Sequence, residues 1–62
     1  MRSEEEIRKK IEELEERVKG FEWEKDCLKK EGLNVAVLEL YIEELKERIK
    51  TLRWVLGEVE KI

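Results

Sequence analysis

Two stretches of this 62-residue chain repeat an apolar residue at alternating steps of four and three, and they mirror each other about one glycine. The first runs Ile7, Ile11, Leu14, Val18, Phe21 and Leu28, with Lys25 in the slot between the last two. The second runs Leu38, Ile42, Leu45, Ile49, Leu52, Leu56 and Val59. Alternating steps of this size put every member on one stripe of an α-helix, the spacing of a coiled-coil seam. The step from Leu28 to Leu38 is ten residues and breaks the phase. A single continuous helix would also bury Gly32 in its interior, at a cost of ~1 kcal/mol. Folded back at Gly32, the stripes meet in one antiparallel register: Leu28 with Leu38, Phe21 with Leu45, Val18 with Ile49, Leu14 with Leu52, Ile11 with Leu56 and Ile7 with Val59. The expected fold is all-α, an antiparallel two-helix hairpin.

The residues at the breaks support this reading. Ser3 and Glu6 have capping-box spacing, and Glu4, Glu5 and Glu6 suit the positive end of a helix dipole. Lys29 and Lys30 suit the negative end. Gly32 at C′ makes Leu28 C3 and Leu33 C″, the apolar pair of a Schellman ending. Asn34 is the expected N-cap of the second helix, with Leu33 and Leu38 as a hydrophobic staple. The sequence thus predicts one domain: a helix over 4–31, a loop at 32–34 and a helix over 35–61, with Gly57 offering an earlier stop. Each helix of roughly 27 residues spans ~40 Å.

Composition narrows the chemistry. The chain carries 17 acidic and 14 basic residues, a net charge of −3, no His and one Cys. An ordinary zinc site and a disulfide framework therefore lie outside its reach. The carboxylate metal site of helical bundles uses Glu-x-x-His, which is absent. The carboxylates interleave with Lys and Arg on outer faces: Glu4–Arg8, Glu5–Lys9, Glu6–Lys10, Glu13–Arg17 and Glu15–Lys19 all have the favourable i to i+4 order. Cys27 has no base to activate it and reads as a small buried hydrophobe. No enzyme activity, cofactor or small-molecule substrate is expected. No apolar run approaches a membrane span, no signal-peptide core follows Met1, and the single Cys suits a reducing cytoplasm.

The second helix has more apolar surface than one partner covers. Val35, Val37, Leu40, Tyr41, Val55 and Ile62 lie beside its main stripe, with Trp54 one position over. Val37, Tyr41, Thr51 and Val55 fall on a second, flanking stripe that includes the pair Glu44 and Arg48. The first helix adds Trp23 and Cys27, with Gly20 permitting close approach of a neighbouring backbone. Short chains rarely build a sufficient core alone, and aromatics of this kind are enriched in association surfaces. The expected partner is a second copy in a homodimeric four-helix bundle with the second helices central, or else another protein. The expected interface comprises Val37, Tyr41, Thr51, Trp54, Val55, Ile62, Trp23 and Cys27. In size and inferred architecture the chain is similar to the small dimeric hairpin regulators of plasmid copy number, which bind RNA. A nucleic-acid regulator is therefore the second class to weigh. The acidic balance and the Glu that counters each of Arg8, Lys9, Lys10, Arg17 and Lys19 disfavour it, and disfavour a membrane surface too.

Residues 49–58 read Ile-Lys-Thr-Leu-Arg-Trp-Val-Leu-Gly-Glu, and residues 3–7 read Ser-Glu-Glu-Glu-Ile. These strings resemble the carboxy-terminal stretch and the opening of short, Glu/Lys-rich, uncharacterised helical-hairpin proteins of archaea and thermophiles. The resemblance implies a thermophilic origin and carries no activity and no functional residues. Charged residues make up 50% of the chain and Gln is absent, which fits that origin. A designed bundle with no natural function would share the Glu/Lys bias. The single Ala, the mid-helix Gly20 and the unpaired Cys27 favour a natural chain over a design.

Overall fold

The computed structural model describes residues 3–58. Two helices, α1 (Glu4–Lys30) and α2 (Ala36–Val55), pack against each other as a hairpin, and no strand occurs among the described residues. The molecule is a rod of 44 × 21 × 15 Å. Its long axis is close to the ~40 Å of the longer helix.

Helix α1 starts where the capping box places it. The Ser3 hydroxyl accepts from the Glu6 backbone N–H at 3.2 Å, and Glu4, Glu5 and Glu6 fill the first turn. The helix ends in a full Schellman motif. Gly32 has φ +75°, its N–H donates to the Lys29 carbonyl at 3.0 Å, and the Leu33 N–H donates to the Leu28 carbonyl at 3.0 Å. The Leu33 side chain is half exposed.

The start of α2 differs from expectation. Val35, not Asn34, is the N-cap, and its carbonyl accepts the first helical bond from Glu39 N–H at 2.9 Å. Asn34 acts one residue earlier, its Oδ1 accepting from the Ala36 N–H at 2.9 Å. That bond satisfies an orphan donor of the first turn in the manner of an Asx turn. The shift moves the staple positions from Leu33 and Leu38 to Asn34 and Glu39. Val35, expected beside the main stripe as part of the surplus apolar surface, is buried, at 6% exposure. It stands three residues before Leu38 and so extends the main stripe backwards by one step.

Helix α2 also stops before position 61. Gly57 takes φ +79°, the Gly57 N–H donates to the Trp54 carbonyl, and the Glu58 N–H donates to the Arg53 carbonyl, each at 2.9 Å. This is a second Schellman motif, and the left-handed glycine terminates the helix at Val55. Val59 and Ile62 lie outside the described residues.

The core is small. Among the described residues the buried hydrophobics are Ile11, Leu14, Val18, Val35, Ile42 and Leu45. Leu14, Val18, Ile42 and Leu45 form its centre, with Phe21, Ile49 and Leu52 packed against them. The expected register is present, and ion pairs along the edge follow it. Glu15 meets Arg53 at 2.7 Å, Glu22 approaches Lys46 at 3.9 Å, and Arg8 meets Glu58 at 2.7 Å.

Candidate association surface

The side-chain pattern divides the hairpin into two edges and two outer faces. One edge carries the cross-helix ion pairs. Glu15, Lys19 and Glu22 of α1 stand there beside Lys46, Lys50 and Arg53 of α2. Glu15 therefore bonds across to Arg53 instead of back to Lys19, and Lys19 stands 3.8 Å from Glu16. Lys10 similarly meets Glu13, at 3.4 Å. Two expected pairs within a helix do form: Glu4 with Arg8 at 3.0 Å and Glu44 with Arg48 at 2.7 Å. The Arg8 guanidinium bridges Glu58 and Glu4, and those two hydrogen bonds, that to Glu58 foremost, hold its pKa above the ordinary arginine value.

The opposite edge mixes apolar side chains with one ion pair on its α2 side. Tyr41 is 52% exposed and stacks on Phe21, ring centroids 6.2 Å apart. Arg17, Phe21, Tyr41, Glu44, Leu45 and Arg48 line an open groove here. Further round the same helix Val37 is 62% exposed, Leu40 70% and Val55 55%. Thr51 is exposed too, its hydroxyl donating to the Glu47 carbonyl at 3.0 Å. Val37, Tyr41, Thr51 and Val55 thus share one exposed face, as the flanking stripe predicts, with Glu44 and Arg48 in its middle.

Trp54, Trp23 and Cys27 stand elsewhere. Trp54 is two residues past Leu52, and Trp23 two past Phe21. At 3.6 residues per turn that is about 200° around each helix from its packed stripe. Both Trp side chains are exposed, Trp23 at 72% and Trp54 at 47%, on the outer faces of α1 and α2 respectively. Cys27 is exposed on the α1 outer face, so the buried role read from the sequence does not hold. Gly20 lies on that face too, and an added Cβ there would meet nothing within 4 Å. The eight residues assigned to one interface therefore divide: four on the flank of α2, one on its outer face, two on the outer face of α1, and Ile62 outside the described residues. Helical phase held that information, since Trp23 and Cys27 both sit opposite the α1 stripe.

No group of His, Cys, Asp and Glu among the described residues is arranged to hold a metal ion. No helix among them is long and apolar enough to cross a membrane. No family model, curated protein or solved structure gives a significant match to the chain.

Proposed function

We propose that this protein is a non-enzymatic, self-associating helical hairpin whose task is protein–protein interaction or scaffolding, and whose active form is a homodimeric four-helix bundle. The carrying observation is the exposed flank of α2, where Val37, Tyr41 and Val55 are all more than half exposed on either side of the Glu44–Arg48 pair, beside a core of six buried side chains among the described residues. Isolated exposed apolar residues are ordinary on any surface. Apolar side chains at both ends of one helix face, next to a core this small, are an incomplete interior that a second hairpin completes. The nucleic-acid reading draws no support from the charge layout. Of the basic side chains along the ion-paired edge, Lys46 and Arg53 stand against Glu22 and Glu15, and Lys19 stands against Glu16. A basic stripe free to displace counterions is what that function requires.

The test is substitution on and off the flank. Tyr41→Glu and Val55→Glu each place a charge in a contact that excludes water, which costs several kcal/mol of association. Light scattering should show loss of the oligomer, and circular dichroism should show loss of most helicity, because the freed hairpin has too little core. Glu16→Ala, on the outer face of α1 with 77% of the Glu16 side chain exposed, should change stability by less than about 0.5 kcal/mol. An intact oligomer in both flank variants would move the interface to the outer faces of Trp23 and Trp54.

A further inference from the structure

Helix α2 carries a stripe that is complementary to itself when reversed. Its members are Val37, Tyr41, Glu44, Arg48, Thr51 and Val55, at alternating steps of four and three. They are placed symmetrically about position 46. Val37 and Val55 lie nine residues from it on either side, Tyr41 and Thr51 five, and Glu44 and Arg48 two. Lys46 itself points to the other edge, toward Glu22, so the centre of the stripe is open. We infer that a second copy of this chain docks here, α2 against α2 in antiparallel orientation, about a two-fold axis level with position 46. The inference rests on the self-association reading above and specifies its geometry.

A two-fold interface uses the same patch on both copies, so residue i meets residue j while j meets i. Antiparallel docking about position 46 brings Val37 against Val55 of the second copy, Tyr41 against its Thr51 and Glu44 against its Arg48. Each layer appears twice. Alternating four–three steps pair in this way in an antiparallel coiled coil, as the main stripes of the hairpin already do. Apolar layers lie at both ends and the charged layers in the middle. Glu44 and Arg48 already bond within each chain at 2.7 Å, both more than half exposed. On docking, each guanidinium stands between its own Glu44 and that of the second copy, and its fork has donors enough for both. The four side chains make a closed square of two acids and two bases.

The charges also select the register. Sliding one copy by a heptad, the step that keeps stripe against stripe, sets Val37 against the second copy's Arg48 and Tyr41 against its Glu44, so charges face apolar layers. Parallel docking sets Glu44 against Glu44 and Arg48 against Arg48, opposing like charges at the middle of the contact. Buried ion pairs contribute little net affinity but do fix register, so the Val37, Tyr41 and Val55 layers supply the affinity and the square supplies the alignment.

The experiment is pairwise cross-linking in the full chain. Cys27 is first replaced by Ser to remove the exposed thiol. In that background Val37→Cys and Val55→Cys chains are prepared separately, then mixed, allowed to exchange and treated with a short bis-maleimide. Antiparallel docking leaves the two copies of position 37 about 27 Å apart along the helix, since 18 residues separate the two positions. Each variant alone should cross-link weakly, and the mixture should give at least about tenfold more covalent dimer than either. Sedimentation of the same samples separates the two levels of the reading. An oligomer that cross-links equally well within the Val37→Cys sample alone would overturn the antiparallel geometry and leave self-association standing. An oligomer with no cross-link in the mixture would overturn the register. A monomer at all concentrations would overturn both.

Discussion

Gly32 and Gly57 hold φ of +75° and +79°, and Gly20 sits inside α1, yet an added Cβ would meet nothing within 4 Å at any of the three. With crowding removed, backbone conformation alone decides what a methyl group does. Gly32→Ala should destabilise the hairpin by about 1 kcal/mol, because the Schellman position requires the left-handed region. Gly20→Ala should stabilise it by about 1 kcal/mol, because the position is already helical and Ala is the better helix former. Urea unfolding of the two variants gives both signs. A destabilised Gly20→Ala protein would show that another backbone packs closely against the outer face of α1. Single residues also show where sequence reasoning loses detail. The pairing of Glu15 with Arg53 at 2.7 Å, in place of Lys19, depends on side-chain reach across the edge. Helical spacing ranks partners on one helix and is silent about partners on the next.

The two helices were legible because their main information is periodic. Seam spacing set the register, Ser3 and Glu6 set the start of α1, and Gly32 set its end. The start of α2 was less so because two residues compete there. Asn34 has the preferred capping side chain, but burying Val35 in the stripe draws the helix start one residue later. Apolar burial is worth roughly 1.5–3 kcal/mol for such a side chain, more than the ~1 kcal/mol of a cap. Asn34 keeps a capping hydrogen bond to Ala36 from its displaced position, so little is lost. The same ordering of magnitudes identifies the most sensitive point of the helix pair. Leu14 is the most buried side chain, at 2% exposure. Leu14→Ala removes transfer energy and leaves a cavity, at about 2–5 kcal/mol. Far-UV circular dichroism at 25 °C should show a largely unfolded chain. A variant that keeps its helicity there would mean that the core carries more stability than six buried residues suggest.

For the whole molecule, the candidate surface was half legible. The flank of α2 follows from a second four–three repeat that includes Val37, Tyr41, Thr51 and Val55, and the structure leaves that face open. Trp23 and Cys27 share its aromatic and apolar character but not its helical phase. Phase sets them on the far side of α1, beyond reach of any contact centred on α2. A rod 44 Å long and 15 Å thick has too much surface for its volume to bury a large interior. In the proposed dimer a second rod placed against the flank would remedy this, and folding and assembly would become one concentration-dependent equilibrium. Sedimentation equilibrium of the full chain, from micromolar concentrations upward with helicity recorded on the same samples, tests this most directly. The expected species has twice the 7.6 kDa chain mass, with helicity falling as dilution dissociates it. A fully helical species of 7.6 kDa at every concentration would contradict it.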